Sequence, residues 1–454
     1  MTTGSSGATR ALSRTPTSDA VSEFRSSSGF ALYRGLKNML RCDEAEVVRG
    51  IADYVISQHR GLRLLSGLIE RTRDSPIPGV VALIGWLRAF ASVRSPARPN
   101  GCAWIARLSN ERQAIEAVRC LAGDLSWTEL EFGLRPDIAA LRGLTRNFAP
   151  RHIFKLVRRL HRRHEFFRVL RVIEFIAYYT RYFEIFQTGG FKLAVTSNHS
   201  NPHGLAFNLA ARKRNIPVVL ITHGMPVRPV ALLTYDLAVV HCEAARQTYL
   251  EEGCRIFRVL VHGRRRHYRP MPSERLPERL TVGIFLCKEV NEACLKDTVA
   301  GLLRQPKVAR ILIRPHPKNL WRGLNEWIAT HNDARVGLAA GHSVLGDIES
   351  VSIVLAGNSS VLVDAVTAGR PSGYVFGLDY GPQDLHHFVR CGLIYPLEDR
   401  DGHHRWNSEV MLAFYQRPEW LHVLRLFANI NEDDTEVAAQ ALQIIRELSG
   451  NEIA

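Results

Sequence analysis

The stretch from Phe191 to Gly224 constrains the fold more than any other part of the chain. FKLAVTSNHS reads as a strand and loop, PHGLAFNLAARKRN carries apolar residues at helical spacing, and IPVVLITHG is a strand ending in a tight turn. A strand, a helix and a strand in so short a run form a βαβ unit, whose crossover makes the two strands parallel. YDLAVVH, EAARQTYLEEG and FRVLVHG continue the alternation.

A second alternating series starts at TVGIFLC. It runs through the helix CLKDTVAGLLRQ, the strand ARILIRPHP, the helix LWRGLNEWIATH and the strand ARVGLAA, then VSIVLAG, SVLVDAVTAG and PSGYVFG. Two series of comparable size predict two Rossmann-like, doubly wound domains facing a cleft. The expected boundaries are a disordered leader at 1–28, a helical region at 29–100 and a first α/β domain at 101–263. They continue with a basic, proline-rich linker at 264–280, a second α/β domain at 281–425 and a C-terminal helix at 426–454.

At 454 residues, with 46% hydrophobic and 23% charged, the chain can bury two cores. No stretch reaches the roughly 18 uninterrupted apolar residues of a membrane span. The eight cysteines are scattered without a CxxC pair, which points to a reducing, cytoplasmic setting. A net charge of +15 favours a polyanionic partner. The region 151–188 concentrates arginines among Phe, Leu, Ile and Tyr, a composition suited to an anionic inner-leaflet surface or to a solvated helix over a core.

Ligands of open α/β sheets bind at the carboxyl ends of the strands, so the loops there carry the chemistry. Four stand out. THGMP places His223 directly after a strand, where it can act as a base or donate to a phosphate. RPHP fixes Arg314 and His316 between prolines, an arrangement suited to a diphosphate or phosphodiester. GNSSVLVDA sets Asn358, Ser359 and Ser360 before a helix, where hydroxyls and free N–H groups serve an anion or a simple cap. SNHSNPHG holds His199 and His203, which lack the carboxylate or thiolate company of a metal site and read better as an acceptor-side loop. No Walker motif and no GxGxxG follows a strand, and Asp399 with Asp401 reads as a solvated turn rather than a metal–nucleotide DxD pair. No nucleic-acid-binding module is recognisable.

HG at 223–224, RPHP at 314–317 and NSS…D at 358–364, in that order, resemble the bacterial capsule and wall polymer transferases. These are the CDP-glycerol glycerophosphotransferases, the capsular polysialyltransferases and related CMP-sugar enzymes. The resemblance spans about residues 190–395. It implies a GT-B fold, to which the helical region read at 29–100 adds an N-terminal extension, and an inverting, metal-independent transfer that needs no cofactor. The expected donor is CMP- or CDP-linked, with UDP an open alternative, and the acceptor is a polysaccharide or lipid-linked chain at the inner face of the cytoplasmic membrane. Arg314, His316, Asn358, Ser359, Ser360 and Asp364 would then hold the donor phosphate and nucleotide, and His223 would lie at the reaction centre. The acidic base of the polysialyltransferases falls nearest to Glu131, within Glu131-Phe132-Gly133, which departs from the family pattern at its second position. A sugar-nucleotide epimerase of the same fold and a non-catalytic polyanion-binding protein are the competing readings.

Overall fold

The computed structural model describes residues 69–450, apart from 73–74, 95, 97–98, 131–136, 138–149, 163–164, 199–200, 227–229, 263–267, 273–274, 318–320, 322, 381–382, 398, 401–402, 405–406 and 431–433. The expected leader, most of the expected N-terminal helical region, Glu131 and His199 lie outside the described residues.

Two six-stranded sheets organise the chain. The first contains β1 (Asn100–Ile105), β2 (Trp127–Glu129), β3 (Gly190–Thr196), β4 (Val218–Ile221), β5 (Thr234–Val240) and β6 (Arg255–Val261), ordered β2-β1-β3-β4-β5-β6. The second contains β7 (Leu280–Phe285), β8 (Val308–Arg314), β9 (Val336–Leu338), β10 (Ile353–Ala356), β11 (Ser372–Val375) and β12 (Tyr395–Leu397), ordered β12-β11-β10-β7-β8-β9. Every pairing in both sheets is parallel. Counted from its own first strand, the second order is the Rossmann order 3-2-1-4-5-6, and the first begins 2-1-3-4-5 as in flavodoxin-like sheets. The fold is therefore α/β with two Rossmann-like, doubly wound units, the pair that a GT-B architecture comprises. The central strands are uninterrupted apolar runs such as VVLI in β4 and IVLA in β10 because helices cover both faces.

The helices of the first unit are α1 (Ile77–Ser92), α2 (Ser109–Leu121), α3 (Pro150–His161), α4 (Phe166–Thr188), α5 (Pro202–Lys213) and α6 (Glu243–Glu251). The second unit adds α7 (Glu292–Leu303), α8 (Leu324–Ala329), α9 (Val344–Glu349), α10 (Val361–Thr367), α11 (Ser408–Tyr415) and α12 (Trp420–Phe427), before a last helix, α13 (Asp434–Leu448).

Two expectations change here. The basic, aromatic region 151–188 divides into α3 and α4, and α4 is core: Val172, Ile173, Phe175, Ile176, Tyr179 and Tyr182 are buried against α1 and α5. Its Arg181 is buried too, donating to the Asp137 carboxylate at 2.9 Å and the Val93 carbonyl at 3.1 Å. The C-terminal helix begins at Asp434 rather than at 426, since residues 426–427 end α12. It packs on the first sheet, with Ala441, Ile444 and Ile445 buried among Cys102, Trp104, Leu193, Val219 and Val239.

Candidate functional site

A doubly wound sheet binds ligands in the crevice where its strand order reverses. In the first sheet that point lies between β1 and β3, and in the second between β7 and β10. Each crevice is walled by polar loops.

In the first unit the loops after β1, β3 and β4 stand side by side. Glu111, in the first turn of α2, is only 1% exposed. One of its carboxylate oxygens accepts from the amides of Arg107 at 2.7 Å and Leu108 at 3.2 Å, which satisfies orphan donors at the helix start. The other accepts from the Asn198 side-chain amide at 2.7 Å, tying the loop after β3 to α2. The Asn198 side-chain oxygen in turn accepts from the Asn201 amide at 2.9 Å, at the mouth of α5. Gly204 is required there, since a Cβ would lie 2.6 Å from the Asn198 carbonyl.

His223 lies two residues past β4 and faces Ser197, which directly succeeds β3. Its Nδ1 lies 2.9 Å from the Ser197 hydroxyl and 3.2 Å from the Ser197 carbonyl. A carbonyl only accepts, so Nδ1 carries the proton and Nε2 keeps its lone pair. The residue is exposed, yet enough protein surrounds the imidazole for desolvation to lower its pKa, opposed by the negative charge of Glu111 and the Ser197 carbonyl. A neutral imidazole with an available Nε2 suits a proton acceptor at neutral pH.

In the second unit Asn358 knots three loops together. Its side-chain oxygen accepts from the Tyr374 hydroxyl at 2.9 Å and the Leu385 amide at 2.8 Å. Its own amide donates to Asp379 at 2.5 Å, and the Cys287 thiol donates to its carbonyl at 3.2 Å. Asp379 is buried, which raises its pKa, and the carboxylate beside Cys287 adds to burial in pushing the thiol up. Ser359 is half-buried and its hydroxyl accepts from the Val361 amide at 3.4 Å, while Ser360 is exposed at the start of α10. Asp364 is half-buried in the first turn of α10.

Arg314 ends β8 and forms an ion pair with the buried Asp347. It also donates to the carbonyls of Gly341 at 3.1 Å and Ser343 at 3.3 Å. Its guanidinium thus ties the loop after β8 to α9. His316, two residues on, is exposed. Because β10, β7 and β8 are consecutive in the sheet, the Ser359–Ser360 and His316 loops flank the one after β7.

The structure brings Arg314, His316, Asn358, Ser359, Ser360 and Asp364 to one edge of the second sheet, and His223 to the matching edge of the first. His203 is different: it lies in the first turn of α5, fully buried, with its pKa lowered to about 3 by desolvation and by the Arg107 and Arg171 charges. That position turns it away from an acceptor-facing loop, because the proline before it starts the helix one residue earlier. Glu111, Ser197, Asn198, Asp347 and Asp379 escaped the reading of the motifs. For Glu111 the signal was present, a carboxylate three residues past the N-cap residue Leu108, at capping-box spacing. Among the described residues no His, Cys, Asp or Glu groups converge as metal ligands do, and no helix is long and apolar enough to cross a membrane.

No protein-family model matches the chain, and no curated protein matches it. Among solved structures it is similar to a putative UDP-N-acetylglucosamine 2-epimerase from Listeria monocytogenes, at 11% identity over 78% of this chain and 96% of that one, with a TM-score of 0.43. It is similar to UDP-GlcNAc 2-epimerase from Neisseria meningitidis bound to UDP-GlcNAc, at 11% identity over 76% and 99%, with a TM-score of 0.42. A third is Acinetobacter baumannii MurG, at 12% identity over 76% and 99%, with a TM-score of 0.39. Similarity of this degree assigns neither substrate nor reaction.

Proposed function

We propose that this chain is an inverting glycosyltransferase, or glycerophosphotransferase, that takes a CMP- or CDP-activated donor and extends a bacterial capsule or surface polysaccharide. The observation that carries the reading is the pairing of two strand-order reversals with complementary chemistry. One edge holds a neutral imidazole, the other a proline-fixed histidine and, across the loop after β7, two serines at a helix start.

In this reading the donor phosphates lie on the second unit, against His316, Ser359, Ser360 and the first amides of α10, with Asp364 at its first turn. These donors stabilise negative charge on the departing nucleotide. Arg314 contributes through its hold on Asp347, which fixes the loop from which His316 projects. His223 Nε2 takes the proton of the acceptor hydroxyl while Nδ1 stays bonded to Ser197, so the imidazole needs no reorientation. Buried Glu111 keeps the opposite charge nearby as the imidazolium forms. Glu131, just past β2, is the alternative base.

The test is thermal stabilisation by CMP, CDP and UDP at millimolar concentration, repeated with His316→Ala and Ser360→Ala. A shift specific to a cytidine nucleotide that both variants lose supports the donor site. Absence of any shift removes the transferase reading. Turnover of a nucleotide-sugar without acceptor, giving an epimerised sugar, would instead favour the epimerase. His223→Ala and Glu131→Gln then separate the two candidate bases by which one abolishes transfer while leaving the nucleotide shift intact.

A further inference from the structure

The helix α1, IPGVVALIGWLRAFAS, turns Ala82, Trp86, Ala89 and Phe90 inward. Its opposite face leaves Ile77, Val80 and Ile84 at 46%, 45% and 60% exposure, spaced so that they form one stripe, which the exposed Arg88 continues. Such a row of large aliphatic side chains left in water marks a contact surface. Alongside it, α1 packs on α3, and a groove of about 330 Å³ between them is bordered by Pro76, Gly79, Phe154, Lys155 and Arg158.

The two helices together hold Arg88, Arg151, Lys155, Arg158 and Arg159, and neither holds an Asp or a Glu. Glu70 is already engaged: it accepts from the Phe166 amide at 2.7 Å and lies 3.7 Å from His161. Exposed aliphatic side chains on α1 and exposed cations on α1 and α3 therefore lie on two helices that pack against one another.

We infer that the α1–α3 face docks on an anionic lipid bilayer, with Ile77, Val80 and Ile84 entering the interfacial layer and Lys155, Arg158 and Arg88 meeting lipid headgroups. Charge alone fits any polyanion, but a nucleic acid offers nothing apolar to the stripe, whereas a bilayer satisfies both the aliphatic side chains and the cations. With α4 in the core, lipid contact belongs to α1 and α3 rather than to the whole of 151–188. The inference stands apart from the transferase reading, because vesicle binding and nucleotide stabilisation are separate measurements and either can fail alone.

The full chain is floated with phosphatidylcholine vesicles and with vesicles holding about 30% phosphatidylglycerol, at about 0.1 M and about 0.5 M NaCl. It should float with the anionic vesicles at the lower salt only. Each cation near such a surface is worth roughly fivefold in affinity, so Lys155→Glu with Arg158→Glu should cut binding at least tenfold. Ile84→Glu should do the same, although it lies outside the cationic pair. These positions are exposed, so unchanged melting temperatures will show that the variants fold. No flotation with anionic vesicles overturns the inference. So does flotation that both variants leave intact, or equally tight binding to a short DNA duplex that Ile84→Glu does not weaken.

Discussion

The side-chain amide of Asn198 donates to the buried carboxylate of Glu111 over 2.7 Å, joining the start of α2 to the loop after β3. That same carboxylate caps the helix through two backbone amides. Removing it orphans one buried donor, the Asn198 amide, and two part-buried amides at the helix start, and an unsatisfied buried group costs about 1–3 kcal/mol. Glu111→Ala should therefore lower the melting temperature by many degrees. Glu111→Gln keeps a capping oxygen and should cost much less. Equal losses in the two variants would mean that the carboxylate only fills space.

Glu111 also faces His223 electrostatically. Because its charge raises the imidazole pKa against burial, Glu111→Gln should move the His223 titration to lower pH. Nitrogen NMR of the imidazole reads this directly, and at pH 7 it should show the proton on Nδ1, as the Ser197 carbonyl requires. A titration that does not move would break the link between the two residues.

Much of this was legible in the chain and some was not. Strands such as IPVVLI and SIVLA announced themselves as apolar runs ending in polar turns, and His223, His316 and Ser360 stand in the turns that close such strands. The buried supports could not be found this way. Asp347 and Asp379 look like surface carboxylates in sequence, because only the folded chain reveals which cation or amide lies opposite. The aromatic run of α4 has apolar residues on every side, so periodicity alone could not choose between a core helix and a membrane-facing one.

Arg314 and His316 sit two residues apart and should behave in opposite ways. Removing Arg314 leaves Asp347 buried without its cation, a change that typically costs about 3–5 kcal/mol. Arg314→Ala should thus destabilise the chain with or without ligand. His316 is exposed, so His316→Ala should melt as the wild type does and lose only the nucleotide-induced shift. A stable Arg314→Ala protein with a normal nucleotide response would remove the anchoring role.

Acid should unfold the chain partly through buried histidines. Desolvation lowers His203 to about 3 and His386 to about 4, from an ordinary value of 6.5. Between those values and 6.5 the unfolded chain binds more protons than the folded one. Stability from these groups is complete above about pH 6.5 and falls as the pH drops toward 4 and then 3. His203→Phe, which keeps an aromatic ring beside Tyr178, should flatten that acid limb in urea-midpoint measurements at pH 7 and pH 4.5. Matching limbs in variant and wild type would show that His203 titrates normally.

Helix α13 returns to the first sheet, and two kinds of contact hold it there. Two ion pairs flank it, Arg446 with Asp124 at 3.0 Å and Arg258 with Glu447 at 2.7 Å, but all four side chains are substantially exposed. Exposed pairs contribute about 0–1 kcal/mol each. Fully burying an isoleucine contributes about 1.5–3 kcal/mol, and Ile444 and Ile445 are both buried against Trp104, Val219 and Val239. Apolar contact therefore outweighs the ion pairs. Arg446→Ala and Arg258→Ala should each leave the melting temperature nearly unchanged, whereas Ile445→Asp should free the helix and uncover the sheet face beneath it. Proteolysis after residue 430 would then become fast in the Ile445→Asp chain and stay slow in the arginine variants. If the arginine variants were the ones cut, electrostatics would be holding the helix, and attachment of the C-terminal segment would weaken steeply with salt.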